Sequence, residues 1–573
     1  MTFGFKEKPR TIVYKKVLKR GFMLGALFAV MTLNSVLAAG PPTTADVEEQ
    51  NRRARQAAEE RQVRDTQQDV NLQQGKKSDN DSSLPEETLS FVVNTIKLEG
   101  DDVKKFPWAK AMLAKYQGRK LGIKGIHLIV KRLTNAMIDR GYVTTRVVIP
   151  EQNLSGGVLK LVLVPGKIRA IRFDEPSTLN NWKTAFPARS GDILNLRDLE
   201  QGLEQMKRVS SQDVSMKLVP GNKPGESDVV ITVKRTKQWK AVLSYDNAGT
   251  KPTGKQQLGE VLAVDNLFGL NDLFNISFNN DVECQGTKLG TRGDSLYYSV
   301  PNGNSTYTFS TSSYRYHQTV SSTTQSFISS GESSTQDFKI SQLVHRDQTG
   351  KTSLEFGISR KHSNSYIDDT EIEVQRKNTT AARIGLVSRR YLGKATLDIG
   401  LTYKKGVPWC GAELPTGTGQ ATTRYNMGLA DIGLTTPVAL GKIQGRYRLT
   451  LYGQYTNNTL YQTDMLSIGN RYTVRGFDGE NTLYAEKGWY VQNEISAPLK
   501  ASGLEWYAGL DYGEVSGPSA ESLTGRCIAG TVVGIRGGGK SVQYDLFVGC
   551  PIRKPDSFTT GKCTFGFQVI SKI

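Results

Sequence analysis

The chain reads as a membrane β-barrel of sixteen antiparallel strands, preceded by two small α+β domains and a polar helix. Three observations predict this. From Lys237 onward, apolar and polar residues alternate strand after strand with no helical period. Beyond residue 38 no stretch of about 18 apolar residues exists to cross a membrane as a helix. Between residues 86 and 236 the order strand–helix–helix–strand–strand occurs twice, which marks an internal repeat.

The first 38 residues read as a secretory signal. Seven Lys/Arg against Glu7 alone form a basic start, GFMLGALFAVMTLNSVLA supplies an apolar core, and small residues place the cut after Ala38. The whole chain carries a net charge of +19, and removing the +6 of this segment leaves about +13. That excess suits acidic partners, lipopolysaccharide phosphates or nucleic acid, and equally a charged lumen or a solvated surface, and decides among none of them. A mean hydropathy of −0.40 argues against a helical membrane protein and leaves room for a barrel, whose strands are half polar.

Residues 44–72 form a helix candidate rich in Glu, Gln, Ala and Arg. Glu48–Arg52, Glu49–Arg53 and Glu60–Arg64 stand at i,i+4 in the favourable acid-first order. With almost no apolar stripe it cannot pack on a hydrophobic core, so it is either a solvated tail or a helix lodged in a polar cavity. Residues 73–85, QQGKKSDNDSSLP, follow as a flexible linker.

The two repeated units occupy residues 86–165 and 166–236. In the first, Phe91–Leu98 is a strand, Ile126, Ile129, Val130, Leu133 and Met137 trace one helical face, and strands Tyr142–Ile149 and Val158–Val164 follow. In the second, strand Ile168–Phe173 precedes a helix near Asn181, a helix carrying Leu199, Leu203 and Met206, and strands Asp213–Val219 and Asp228–Val233. Each unit resembles a POTRA domain, the periplasmic module of outer-membrane secretion and insertion barrels. The segments Arg140–Ile168 and Leu194–Arg208 resemble the secretion branch in particular.

The barrel spans residues 237–573, roughly 21 residues for each strand and its connection, which suits tilted strands of about 10 residues. Short turns such as Asn266–Asp272, Pro301–Asn304, Asp347–Gly350 and Lys500–Gly503 alternate with longer polar loops. An even strand count returns the chain to the periplasmic side. The sixth long loop, residues 457–487, carries Val474-Arg475-Gly476-Phe477. In LEWYAGLDYGEV, a lipid-facing set of Leu504, Trp506, Ala508, Leu510 and Tyr512 turns Asp511 toward the lumen.

Together the loop motif, this strand and the two modules resemble the two-partner secretion outer-membrane transporters, over essentially the whole mature chain. The resemblance implies that the loop folds into the lumen and that Asp511 partners Arg475. Gly509 and Gly513 then leave room for the loop, and inward-pointing Glu494 is a second acidic candidate. It also implies a helix that plugs the pore, and translocation of one large β-rich exoprotein of adhesin, haemolysin or contact-dependent toxin type. The competing reading is an outer-membrane insertase of the same superfamily. Insertases usually carry three or more POTRA units and lack the polar helix.

Other motifs carry less. Gly534–Ser541 matches the phosphate-loop pattern, but the next residues alternate as a strand, so the segment reads as a glycine-rich hairpin. Arg292-Gly293-Asp294 falls in an expected external loop and is a chance tripeptide. The four histidines are scattered and show no metal-ligand spacing. Cys550 and Cys563 bracket the last external loop and are candidates for a disulfide across its base, with the odd cysteine count leaving at least one thiol unpaired or paired with another molecule. The final strand ends on Ile573 where such barrels commonly end on Phe. No nucleophile–base set is present. The expectation is a transporter in the outer membrane, in contact with its lipid, with no enzymatic activity, cofactor, metal, nucleotide or nucleic acid.

Overall fold

The computed structural model describes residues 44–66, 69–72, 83–175, 181–283, 285–286, 288–321, 326–414, 420–499, 503–539 and 541–573. The signal segment with Ala38, and most of the linker, lie outside these residues. Helix α1 (Thr44–Thr66) comes first. It stops short of the expected Leu72: the amides of Val70 and Leu72 donate to the Glu204 and Glu200 carboxylates instead of to helical carbonyls.

The first domain contains β1 (Phe91–Val93), β2 (Thr95–Glu99), α2 (Pro107–Ala114), β3 (Arg119–Leu121), α3 (Ile123–Asp139), β4 (Arg146–Val148) and β5 (Val158–Val164). Its main sheet runs β2-β5-β4, with β2 parallel and β4 antiparallel to β5, while β1 pairs β3. The expected strand Phe91–Leu98 is thus two strands. They break at Asn94, whose amide turns to the Gly157 carbonyl. Ile126, Ile129, Leu133 and Met137 of α3 bury against Leu159, Leu161 and Leu163 of β5. The Glu87 carboxylate accepts from the amides of Lys124 and Gly125 at 2.9 and 2.7 Å, satisfying donors that the start of α3 leaves open.

The second domain has β6 (Lys167–Phe173), α4 (Leu196–Lys207), β7 (Gln212–Pro220) and β8 (Glu226–Arg235), in the sheet order β6-β8-β7. Asn195 caps α4 by accepting from the Arg197 amide at 2.9 Å. No helix forms near Asn181 among the described residues. A single turn closes there, with the Ala185 and Phe186 amides donating to the Trp182 carbonyl. Phe186 lies so close over Gly202 of α4 that a Cβ there would meet the ring at 2.3 Å, so the turn does the packing that a second helix was expected to do. Asp228 receives both Arg169 and Arg172, and the Arg169 guanidinium holds its carboxyl below the usual carboxylate range.

The barrel strands are β9 (Trp239–Asp246), β10 (Gln257–Asp265), β11 (Leu273–Asp281), β12 (Leu289–Asn302), β13 (Ser305–Ser321), β14 (Ser326–Asp347), β15 (Gly350–Ile367), β16 (Lys377–Leu392), β17 (Ala395–Val407), β18 (Asn426–Leu440) and β19 (Ile443–Thr456). A short hairpin, β20 (Leu466–Ile468) with β21 (Leu483–Ala485), stands inside the loop that follows. The wall resumes with β22 (Lys487–Leu499), β23 (Leu504–Ser516), β24 (Cys527–Gly538), β25 (Val542–Arg553) and β26 (Thr564–Lys572). Sixteen strands pair with their sequence neighbours, and β26 closes the sheet on β9 from Gln568↔Asp246 to Lys572↔Val242. Closure satisfies every strand edge, as lipid requires. Cross-strand partners Phe309 and Phe338, then Phe356 and Ile384, form an exposed apolar row on the outer face. Arg292-Gly293-Asp294 lies within β12, paired on both sides, rather than in a loop. Long outer strands carry the ladder past that point.

The second domain sits against the short turns at one end of the barrel. The Ser211 amide donates to Asp265 at 2.8 Å, the Gly303 amide to the Thr184 carbonyl at 2.8 Å, and Gln205 to Thr306 at 3.1 Å. A Leu161→Ala substitution deletes a fully buried side chain of the first domain. It should cost about 2–5 kcal/mol, making that domain protease-sensitive in the detergent-solubilised chain while the barrel stays resistant.

Candidate functional site

The loop from residue 457 to 486 folds into the lumen instead of outward. Its hairpin of β20 and β21, with Val474 and Phe477, forms a small apolar core against Val515 and Ile528 of the wall. This core fixes where the next charge goes. Arg475 enters the wall face of β22 and β23, the side chain 13% exposed, while Asp511 opposite is fully covered. Asp511 accepts from the Arg475 amide at 2.9 Å, from Nε at 2.8 Å and from Nη2 at 3.0 Å. Glu494 takes Nη1 at 2.5 Å and the Asn493 carbonyl accepts from Nη2 at 3.3 Å. The guanidinium therefore exchanges its water for a two-toothed carboxylate, a second carboxylate and a carbonyl. Glu494 is shared with Arg536 of β24 at 2.8 Å, and Arg536 continues to Glu505 at 3.0 Å, so the charges form a chain across three strands.

Glycines make the floor on which this loop rests. A Cβ at Gly509 would meet Arg475 Nη2 at 2.6 Å, and one at Gly513 would meet Val474 at 2.8 Å. Gly513 therefore serves Val474 rather than Arg475. Gly530 on β24 and Gly549 on β25 are equally tight, 2.0 Å from the Arg475 carbonyl and 2.8 Å from the Gly476 Cα. Gly476 itself holds φ +106°, a backbone state that favours glycine. Phe477 meets Phe558 edge to face at 5.7 Å. Phe558 belongs to the last external loop, which a Cys550–Cys563 disulfide closes. That loop also donates the Gly561 amide to Asp478 at 3.0 Å, and its Thr559 carbonyl accepts from Asn481. Among the described cysteines, Cys410 and Cys527 carry free thiols.

Helix α1 fills the lumen beside this loop. Glu48 accepts from the hydroxyls of Tyr314 and Thr253 at 2.8 and 2.6 Å and from that of Thr250. Glu49 pairs Lys361 at 2.8 Å, and Arg61 reaches Asp431 at 2.6 Å and the Tyr490 hydroxyl at 3.0 Å. Arg53 donates to the Thr463 carbonyl of the inward loop, and Asn470 of that loop donates to Asn51 at 2.9 Å. Two of the i,i+4 pairs expected within the helix, Glu48–Arg52 and Glu49–Arg53, are replaced, while the Arg64 side chain of the third lies outside the described residues. Glu49 takes Arg52 one position nearer, and Glu48 and Arg53 turn to the wall and loop, because a lumen lined with partners competes with the helix's own.

Sequence reading singled out the motif, Asp511, Glu494, Gly509 and Gly513, and the structure brings these residues together. It missed Arg536, Gly530, Gly549 and Phe558. Period-two alternation marks the first three as inward-facing, so that signal was present. Nothing local to Phe558 points at Phe477.

Gly530→Val would drive a side chain into the Arg475 carbonyl without touching the outer face. The loop should then leave the wall, and limited trypsin should cut at Arg471 or Arg475 in the mutant and spare both in the parent.

A model of the haemolysin secretion/activation protein family (ShlB/FhaC/HecB) matches residues 225–537, a POTRA model matches 167–220, and a ShlB-type POTRA model matches 91–166. Outer membrane transporter CdiB-2 of Burkholderia pseudomallei (strain 1026b) is 43% identical over 512 residues, 85% of this chain and 87% of the relative. Outer membrane transporter CdiB of Dickeya dadantii (strain 3937) is 30% identical over 531 residues, 91% and 93% of the two chains. The solved structure of CdiB from Acinetobacter baumannii superposes with a TM-score of 0.83 at 27% identity, covering 93% of this chain and all of that one (100%).

Proposed function

The chain belongs to the haemolysin secretion/activation (ShlB/FhaC/HecB) family, and from that premise we propose how its pore is closed and opened. It is an outer-membrane transporter of two-partner secretion, with its POTRA domains in the periplasm. The finer reading is that its client is one large β-rich exoprotein of adhesin, haemolysin or contact-dependent toxin type. The client crosses the membrane extended and folds outside, which gives direction without a nucleotide. In the resting state α1 and the inward loop are the plug. The Arg475–Asp511–Glu494 cluster pins the loop, and α1 is the removable part.

One observation carries this reading: α1 is held in the lumen by ion pairs and hydrogen bonds, and none of its described residues joins an apolar core cluster. When it leaves, each polar group it frees regains water, so departure exposes no hydrophobic surface.

Removing residues 44–66 should convert rare openings in planar bilayers into a large steady current. Equal, narrow conductance with and without the helix would make α1 a bystander. Arg475→Ala leaves Asp511 buried without its partner, a change of about 3–5 kcal/mol. The mutant barrel should still show heat-modifiable mobility on a gel, while surface display of a co-expressed partner exoprotein falls at least tenfold. Undiminished display would refute the role given to the cluster.

A further inference from the structure

Beyond α1, Asp69 to Leu72 lie in a cleft at the periplasmic mouth, between α4 and the turn joining β14 to β15. They are held as a peptide ligand is held. The Asp69 carboxylate receives Lys351 Nζ at 2.6 Å and the Tyr391 hydroxyl, with an Arg389 nitrogen 3.8 Å away. The Val70 amide donates to Glu204 at 3.4 Å, its carbonyl accepts from Arg346, and its side chain packs on the apolar core of the second domain. Asn71 donates to the Gln348 carbonyl at 3.1 Å, and the Leu72 amide donates to Glu200 at 2.8 Å.

The receptor side is braced independently of its occupant. Arg346 pairs Glu204 at 2.9 Å and Glu200 at 3.5 Å, Arg197 pairs Glu200 at 2.7 Å, and Arg389 pairs Asp398 at 2.7 Å. Glu200 and Glu204 stand one turn apart on α4 and accept alternate backbone amides, the spacing of an extended strand. The cleft thus offers a cationic seat for a carboxylate, an apolar notch for the next side chain, and acceptors for the backbone.

Its position makes it decisive for the plug. The start of α1 lies beside Thr250 and Thr253 of an external loop, so its end faces the periplasm. Only Gln67 and Gln68 separate Thr66 from Asp69. The helix is about 33 Å long at 1.5 Å per residue, whereas three Cα–Cα steps reach about 11 Å. While Asp69–Leu72 stay seated, α1 cannot withdraw as a helix.

We propose that this cleft is a binding site for an extended segment carrying a carboxylate one residue before an apolar side chain. The chain's own Asp69–Leu72 occupy it at rest, and an incoming client segment of the same chemistry exchanges with them, freeing α1. This rests on reading α1 as the plug. The test uses the full chain in planar bilayers. Asp69→Ala, a change outside α1, the barrel and both domains, should raise the frequency of openings at least tenfold. Acetyl-Asp-Val-Asn-Leu-amide on the POTRA side should raise it for the parent chain in proportion to dose, and acetyl-Ala-Val-Asn-Leu-amide should not. Openings in Asp69→Ala without any response to the acidic peptide would overturn the exchange. If deletion of residues 44–66 opens the pore while Asp69→Ala and the peptide do nothing, the latch is wrong and the plug stands. If that deletion leaves the pore closed, the plug reading fails and the latch with it.

Discussion

The Arg475 guanidinium inside the barrel is the constraint around which the pore is arranged. A charge at that depth has lost much of its water, and only fixed carboxylates can replace it. Asp511 and Glu494 do so from adjacent strands, each turned inward by the two-residue period. The loop backbone must then approach the wall closely, and four inward glycines on three strands clear the space. Phe477 next to the motif needs an apolar seat, and Phe558 supplies it from a loop closed by a disulfide. A covalent tie in the outermost loop therefore backs a charge pair within the wall.

Against that fixed assembly, α1 is attached by a different physics. Burying an apolar face would hold a helix by about 25 cal/mol per Å², and withdrawal would expose it all at once. Side chains such as Glu48 and Arg61 lose only partners that water can replace. The same sequence property that denies α1 a hydrophobic core is what the proposed withdrawal from the lumen relies on. Pinned loop and loose helix touch through Asn470–Asn51 and Thr463–Arg53, so the position of one bears on the other.

Much of this was legible in the sequence because it is local. Alternation sets which face a residue takes, so Asp511 and Glu494 could be turned inward from their own strands. A long loop between two strands, with a Gly after an Arg, is also visible in one dimension. What escaped depends on residues far apart in the chain. Gly530 and Gly549 are ordinary strand glycines until Arg475 and Gly476 arrive across some fifty to seventy positions. The helix end was misplaced because Glu200 and Glu204, more than a hundred residues on, capture the amides that would have extended it. The turn at Trp182–Phe186 stands where a helix was expected because Gly202 lets Phe186 pack directly on α4. Helix pairs read at i,i+4 assume water around the helix, and the lumen substitutes better partners.

Helix α4 joins these parts. Its apolar face, Leu199, Leu203 and Met206, is locked into the second domain. Gln205 reaches the barrel turn at Gly303 and Thr306, while Glu200 and Glu204 face the linker and Arg346. One rigid element therefore contacts the domain core, the barrel rim and the segment that tethers α1. Gln348 in the neighbouring turn donates to the Asp139 carbonyl at the end of α3, bringing the first domain to the same place. Both domains thus meet the barrel beside the segment that tethers α1. Because only two residues stand between Thr66 and Asp69, the proposed exit of α1 requires Asp69–Leu72 to leave their seat first. On that proposal the short tether, more than the strength of any one ion pair, would make the mouth the control point of the pore.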